Sequence, residues 1–384
     1  MKKIQLPLQT ISLVAAFMIW VILSSLLTYI KGDIPLTPGE ASWVTSIPVI
    51  LGSLFRVPVG FYANRLGARV LFTFSFLFLL IPVFYLSIAQ SFWGLVVSGF
   101  LIGVAGATFS IGVTSLPKYY PKERHGTING IYGMGNLGTA VTTFAAPVIA
   151  NMAGWRTTVK LFCILLIVFA LLNFFFGDRH EPKVKVSFAE EFKKVYRDRR
   201  LWFLSIFYFI TFGSFVAFTV YLPNFLVSNF SLAKVDAGMR TAGFILLATL
   251  LRPLGGFLSD KYNPYTVLAF TFIGLTISGI LLSFSLGITL FTIGCLAVAF
   301  CAGIGNGAVF KLVPLYFSNQ AGTVNGIVAA AGGLGGFFPP LLLTFVYGLT
   351  KSYAIGFMSL SEVALASLVL VFWMRFSEQN RVPG

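Results

Sequence analysis

The sequence predicts an all-α protein that crosses a membrane about twelve times. The first observation is composition, because 57% of the 384 residues are hydrophobic, only 10% are charged, and the mean hydropathy is +0.89. A water-soluble fold cannot cover so much apolar surface. The second observation is that apolar runs of ~20 residues, long enough to cross a bilayer core as helices, alternate with short polar breaks. The third is that basic residues are concentrated in every second break.

The apolar runs are too long and too evenly apolar for the strands of a membrane barrel, and backbone groups in hydrocarbon must be satisfied within a segment. We therefore interpret each run as one helix. The predicted spans lie near residues 10–30, 42–62, 69–90, 92–117, 125–151, 157–176, 201–227, 238–259, 264–286, 289–316, 320–349 and 353–375.

The formal charge of +15 would suit a nucleic-acid-binding protein, but the charge follows membrane topology. Of the 27 Lys and Arg residues, 18 lie on the side that holds the N-terminus and six lie on the other side. This bias predicts a cytoplasmic-membrane protein with both termini in the cytoplasm. Nucleic acid is excluded as a partner, and the first run, which lacks a cleavage site, is expected to stay as a helix.

The longest polar stretch, residues 178–200, separates six spans from six. We therefore predict an N-terminal half (1–177), a cytoplasmic linker (178–200) and a C-terminal half (201–384). In the linker, Ser187 and Glu190 have the spacing of a capping box, and Phe188, Phe192 and Val195 share one face of a helix. An amphipathic helix on the membrane surface is expected there.

The two halves align at a single offset of 196 residues. FRVPVGFYANR in the second span and LRPLGGFLSDK in the eighth place Arg56 opposite Arg252, and TINGI at Thr127 matches TVNGI at Thr323. Such duplication is typical of transporters whose halves move about a site near the bilayer midplane.

Four ionisable residues fall inside the predicted spans: Arg56, Arg252, Lys311 and Glu362. A buried arginine ordinarily pairs with a carboxylate, but one acid cannot neutralise two arginines, so an anionic ligand is predicted between Arg56 and Arg252. Guanidinium offers paired planar donors that suit a small planar oxyanion. Lys311 is expected to extend to the cytoplasmic surface instead of contacting substrate. Glu362 is either a proton relay or, as we favour, a neutral structural group.

Two glycine runs occupy equivalent places, GIYGMGNLG in the fifth span and GIVAAAGGLGGF in the eleventh. Close helix packing explains such runs by itself. Their occurrence in both halves also favours a ligand role, in which Gly135 and Gly332 expose backbone N–H groups to an anion. Asn136 would then be a side-chain donor facing the pore.

Across the whole chain, these runs and the two arginines resemble the paired nitrate signatures of the nitrate/nitrite porter family of the major facilitator superfamily. GFYANRLGAR also resembles the superfamily's cytoplasmic loop motif, with Asn64 in place of the usual Asp, which predicts a weaker gating contact. The resemblance implies a major facilitator fold of two six-helix halves.

In such porters two arginines grip the anion and aromatic rings sandwich it. By motif position the resemblance assigns the grip to Arg56 and Arg252 and the rings to Phe109 in GATFSIG and Phe310 in GAVFKLV. It assigns hydrogen bonds to Tyr208 in YFITFGSF and to Asn136.

The function expected from these observations is transport of nitrate, nitrite or both by alternating access, with nitrate/nitrite exchange favoured because the spans hold a single acid. A proton-coupled nitrate symporter and a porter for another small anion stay as alternatives. A membrane enzyme is disfavoured because His125 and His180 lie in loops and no nucleophile, metal or cofactor constellation is present. The bilayer is the other expected partner, no cofactor is expected, and we expect a functional monomer.

Overall fold

The computed structural model describes residues 2–183, 187–284, 287–318 and 320–379, and the regular structure within these ranges is helical. Residues 184–186 of the predicted linker lie outside the described residues, as do residues 1, 285, 286, 319 and 380–384 of the two predicted halves.

The helices before the predicted linker are α1 (Lys2–Trp20), α2 (Ile22–Asp33), α3 (Pro38–Leu54), α4 (Arg56–Leu66), α5 (Ala68–Ile88), α6 (Phe92–Ile102), α7 (Val104–Ala107), α8 (Phe109–Ser115), α9 (His125–Gly133), α10 (Leu137–Ala153) and α11 (Trp155–Phe176). Short 3-10 turns lie at Leu116–Tyr119, Lys122–Arg124 and Met134–Asn136. Within and after the linker follow α12 (Phe188–Val195), α13 (Arg199–Phe230), α14 (Lys234–Lys261), α15 (Pro264–Leu282), α16 (Ile288–Tyr316), α17 (Ala321–Thr350) and α18 (Ala354–Gln379).

The all-α membrane fold predicted from sequence is confirmed. Ten helical stretches of the described chain are long and apolar enough to cross a membrane, and the bent pair α3–α4 adds an eleventh. The remaining predicted span, the fifth, consists of α9 and α10 joined by a 3-10 turn. Each of the twelve predicted spans thus corresponds to a helical segment that begins and ends within several residues of its expected limits.

Four of these segments are irregular, the first of them at Val21, between α1 and α2. The chain bends by 41° between α3 and α4, just before Arg56, because Pro58 has no N–H to donate and its ring crowds the preceding turn. The fourth segment is interrupted at Gly103 and Thr108, just before Phe109. The fifth tightens into a 3-10 turn that ends at Asn136. The last three irregularities therefore fall beside residues that the sequence selects as site candidates.

Helices from the two ends of the chain cross-pack in a symmetric way: α9 lies on α14, and α17 lies on α4. A Cβ on Gly130 would lie 2.8 Å from the carbonyl oxygen of Arg252, and one on Gly326 would lie 2.8 Å from that of Arg56. Gly326 lies 196 residues after Gly130, and Arg252 lies 196 residues after Arg56. The sequence repeat is thus also a spatial relation, in which the helix that bears each arginine packs against a glycine-rich helix from the opposite end of the chain.

The end of the bundle that carries the linker and both chain ends is called the linker end here, and the opposite end is the far end. At the linker end, Asp260 accepts hydrogen bonds from the backbone N–H groups of Gly126 (3.2 Å) and Thr127 (2.7 Å) at the start of α9. Lys311 pairs with Asp260 at 2.6 Å. Lys311 points toward this end, as expected, where it forms a largely buried ion pair with Asp260 and also donates to the Lys122 carbonyl at 3.3 Å.

The linker helix α12 supplies a second contact at this end. The hydroxyl of Thr323, near the start of α17, donates to the buried carboxylate of Glu191, and the Phe188 ring packs edge-on against Phe61 at 5.3 Å. The predicted helix is present, but the predicted capping box is wrong, because the Ser187 side chain makes no capping bond. Glu191 instead faces the transmembrane bundle.

These two contacts are repeat-related but not identical. Thr127 and Thr323 are equivalent positions, as are Asp260 and Asn64. Asn64 lies beside the start of α17, with its amide nitrogen 2.3 Å from where a Cβ on Gly322 would be. An amide carries no negative charge to place at a helix N-terminus, and here the carboxylate comes from Glu191 of α12.

Candidate functional site

Arg56 is fully buried, with 0% of its side chain exposed, at the first position of α4. Its Nε donates to the carbonyl of Gly106 (3.0 Å) and its Nη1 to that of Ala329 (2.7 Å). Its Nη2 is buried without a hydrogen-bond partner in the described chain. Arg56 therefore ties the fourth segment to α17 and keeps one donor nitrogen free.

Arg252 is 2% exposed and lies in the middle of α14. Its Nη2 donates to the Tyr208 hydroxyl at 3.2 Å, while Nε and Nη1 have no partner in the described parts of the structure. The side chain passes Gly133, where an added Cβ would lie 2.4 Å from Nε. Gly133 and Ala329 are 196 residues apart, so the two arginines have equivalent neighbours.

Neither guanidinium has a counter-ion among the residues that the structure describes. Five ion pairs with nitrogen–oxygen distances up to 4.0 Å occur among the described residues, and none includes Arg56 or Arg252. Two uncompensated positive charges held out of water are costly, and the cost falls when an anion binds them.

Aromatic rings enclose this pair of charges. The Arg56 Cζ lies 5.6 Å from the centre of the Phe109 ring and 4.9 Å from that of Phe212, and the Arg252 Cζ lies 5.5 Å from both. Trp20 lies 5.6 Å from the Arg56 Cζ. Ring faces stabilise guanidinium charge without neutralising it, so the pair stays attractive to an anion.

Phe212 was missed by the sequence reasoning, although it lies one helical turn after Tyr208 in the same YFITFGSF segment and its ring stacks on Tyr208 at 4.9 Å. The other predicted ring, Phe310, packs edge-on against Phe109 (5.2 Å, 66°) and Tyr208 (4.7 Å, 83°). Phe310 thus supports the rings that meet the arginines. Helical spacing from Tyr208 could have identified Phe212.

Tyr132 is a second residue that the sequence reasoning missed. Its hydroxyl accepts from the Gly112 N–H (3.2 Å) and donates to the Thr108 carbonyl (3.1 Å), which fixes the break before α8. Its ring stacks on Phe109 at 5.7 Å. Tyr132 therefore positions Phe109 for the arginine pair.

The remaining polar candidate, Asn136, is fully buried; its Nδ2 donates to the Gly133 carbonyl at 3.0 Å and its Oδ1 has no partner in the described chain. A Cβ added at Gly135 would lie 2.4 Å from the Leu13 side chain, and one added at Gly332 would lie 2.2 Å from the Tyr208 ring. The two glycines thus allow close packing against α1 and Tyr208. That they also donate N–H groups to an anion stays a prediction.

Glu362 is exposed on α18, whereas its neighbours Ser361 and Ala364 are buried. Its side chain therefore faces away from the bundle, and the fold does not bring it to the arginine pair. The described site is buried, positively charged and enclosed by aromatic rings. Such a site suits a small, flat, singly charged anion, which can accept from both guanidiniums while lying between aromatic faces.

Comparisons with known proteins agree with this architecture. The profile of the Major Facilitator Superfamily matches residues 10–340. The chain is 65% identical over 380 residues to the "Nitrite extrusion protein" of Bacillus subtilis, covering 99% of this chain and 96% of the relative. It is 51% identical over 375 residues to the "Probable nitrate transporter NarT" of Staphylococcus epidermidis, covering 98% and 97%.

A solved structure shows the same fold. The crystal structure of the human organic anion transporter MFSD10 (TETRAN) superposes with a TM-score of 0.76 over 96% of this chain and 99% of that chain, at 15% sequence identity. At that identity the likeness concerns the fold alone. The profile match and the identity to full-length relatives go further, and together they show that this chain belongs to the Major Facilitator Superfamily.

Proposed function

We propose that the chain is a secondary transporter that moves nitrate and nitrite across the cytoplasmic membrane, and that it is not an enzyme. The observation that carries the proposal is the pair of buried arginines with three donor nitrogens unpartnered in the described chain: Arg56 Nη2, Arg252 Nε and Arg252 Nη1. Nitrate and nitrite are planar oxyanions that can accept from such donors. The names of the relatives, a nitrite extrusion protein and a probable nitrate transporter, support the same substrates.

Within the site, Arg56 and Arg252 bind the anion, Phe109 and Phe212 enclose it, and Tyr208 orients Arg252. Asn136 contributes a polar group near Gly133. Phe310 acts by holding Phe109 and Tyr208 in place.

The mechanism is alternating access, in which residues 1–177 rock against residues 201–384 while the linker 178–200 joins them. The contacts of Asp260 and Glu191 hold the linker end together in this structure. The far end contains a cavity of about 380 Å³ lined by residues of both halves. We infer that opening of the linker end requires these contacts to break.

Exchange of nitrate for nitrite is favoured over proton symport. A symporter needs a group that titrates on the pathway. Glu362 faces outward from α18. The carboxylate of Asp260 is held by Lys311 and the start of α9 at the linker end. An exchanger needs only that the occupied site reorients more readily than the empty one, in which the two positive charges are uncompensated.

The test is counterflow with purified protein in liposomes loaded with nitrite, nitrate or buffer, with and without a pH gradient. Labelled nitrate should accumulate in nitrite-loaded and nitrate-loaded vesicles, independently of the pH gradient, and not in buffer-loaded ones. Uptake that requires an inward-directed proton gradient and no internal anion would establish the symporter instead. Failure of both anions under all conditions would indicate a porter for another anion.

The orientation and oligomeric state belong to the same proposal. With both termini cytoplasmic, the linker end faces the cytoplasm and the far end faces outside, as the basic-residue bias indicates. Labelling of single cysteines in residues 187–200 should require a permeable reagent in intact cells. Reconstitution at one protein per nanodisc should retain anion binding if the monomer is the functional unit.

A further inference from the structure

The far-end cavity of about 380 Å³ lies between segments from both ends of the chain. Two lysines line it: Lys31, half-buried at the end of α2, and Lys351, exposed just after α17. The described lining contains no acidic residue. The Lys31 ammonium lies 3.5 Å from the Asn224 Oδ1, and the Lys351 ammonium lies 5.9 Å from the Tyr347 ring centre. Neither contact neutralises a charge.

The acids that lie close to this cavity in sequence are held by other partners. Asp33 accepts from the indole N–H of Trp155 at 2.8 Å, and its other neighbour is the guanidinium of Arg156 at 3.9 Å. Glu40 accepts from the N–H and hydroxyl of Thr37, both at 2.8 Å. The described lining itself therefore carries only positive charge, and a concave low-dielectric wall concentrates the field of its two lysines.

Neutral donors complete the lining. Ser42 and Thr344 share a hydrogen bond of 2.8 Å across the cavity, from α3 to α17. Tyr353 also lines the cavity, and its phenol, which is protonated at neutral pH, is a further hydroxyl donor. The cavity thus combines two ammonium groups with hydroxyl donors, which are the ligands of a hydrated or partly hydrated anion.

The cavity borders a narrower space on the side of the arginines. Thr45 and Val220 line both this cavity and a space of about 10 Å³ that Trp20 also lines. The Trp20 ring lies 5.6 Å from the Arg56 Cζ and stacks on Phe212 at 6.5 Å. A small anion in the cavity is thus separated from the arginine pair by a constriction of aromatic side chains.

We propose that this cavity is a second, lower-affinity anion site, in which Lys31 and Lys351 collect small inorganic anions at the far end and deliver them to the arginine pair. The inference rests on the proposed function, because it assumes that anions pass between these two sites. The lysines raise the local anion concentration and do not take part in the grip of Arg56 and Arg252. Their removal should therefore affect capture from one side only.

The experiment compares Lys31→Gln, Lys351→Asn and the double variant with the parent in proteoliposomes. Asparagine is chosen at 351 because this residue has a positive φ of 56°, a conformation that Asn tolerates. Lys160→Gln is the matched control, since it removes one charge from an exposed position near the same end, on α11. The half-saturating nitrate concentration is measured separately from each side, in a background without native cysteines in which an impermeant thiol reagent silences one orientation through a cysteine introduced at the linker end.

Each single variant should raise the half-saturating nitrate concentration at the far side by roughly twofold to tenfold. The maximal exchange rate and the half-saturating concentration at the linker side should stay unchanged. The difference should shrink when ionic strength is raised with an inert salt. Lys31→Arg keeps the positive charge and should therefore have the same half-saturating nitrate concentration at the far side as the parent.

The proposal is overturned if the lysine variants have the same half-saturating nitrate concentration as Lys160→Gln. It is also overturned if this concentration changes equally on both sides, which would indicate damage to the central site. Should the parent itself move no nitrate, the proposed substrate fails, and the same comparison with the anion actually transported decides the cavity's role.

Discussion

The sharpest test of the arginine site is Arg252→Lys. The substitution keeps the charge but replaces three donor nitrogens by one ammonium. In the parent, Nη2 donates one of its two N–H groups to Tyr208, while Nε and Nη1 have no partner in the described structure, so one rigid planar group keeps several donors for an anion. A purely electrostatic site should tolerate the change, and a site that recognises the planar group should not.

The magnitude follows from the number of bonds at risk. A hydrogen bond to a charged group contributes ~1.5 to 3 kcal/mol. Loss of one such bond should weaken nitrate binding by roughly tenfold to a hundredfold, at ~1.4 kcal/mol per factor of ten. Among the described residues, Arg252 is held only by its hydrogen bond to Tyr208 and by the surrounding rings, so we expect little change in thermal stability.

Arg56→Lys should behave differently. Its Nε and Nη1 already bond the carbonyls of Gly106 and Ala329, so the substitution removes contacts within the protein as well as a donor. We expect weaker binding together with a lower unfolding temperature.

The assay is nitrate-dependent stabilisation of the purified protein, followed by counterflow at low nitrate. Arg65→Lys is the control, because Arg65 is exposed at the end of α4 and stacks on Phe61 at 5.4 Å. If Arg252→Lys and Arg56→Lys both bind nitrate with the affinity of the parent, at parental amounts of folded protein, the reasoning is refuted and the two arginines are structural.

Three further predictions use other parts of the fold. Gly133→Ala would place a methyl group 2.4 Å from the Arg252 Nε and should reduce counterflow by more than tenfold. The control is Gly243→Ala, which has open space around the added methyl group and should transport like the parent. Equal activity of the two variants would mean that the position of Arg252 is not critical. Asp260→Asn removes the ion pair with Lys311 and the negative charge at the start of α9, so the linker end should open more often. A single cysteine at Ile128, in a background without native cysteines, should then be alkylated several-fold faster from the linker side. An unchanged alkylation rate would show that this contact does not hold the end closed. Glu362→Gln should retain most nitrite-driven nitrate exchange, because the carboxylate faces away from the bundle, and abolished exchange in well-folded protein would restore the proton-relay hypothesis.

The sequence by itself determined the membrane fold and the pair of arginines. Apolar length is a one-dimensional property, so the helical segments could be delimited without knowing how they pack. The offset of 196 residues made Arg56 and Arg252 equivalent, and the count of intramembrane acids predicted that they lack a counter-ion. The structure agrees on both points within the residues it describes.

Only the tertiary structure decided which aromatic residues meet those charges and how the linker end is held. With 42 phenylalanines, the sequence could not separate Phe212 from those that face lipid, because the direction of a ring depends on the helices around it. Likewise, Lys311 and Asp260 lie on different helices, and Glu191 and Thr323 are 132 residues apart, so neither contact has a local signature. Composition and periodicity act along one helix, whereas the site and its closure arise where several helices meet.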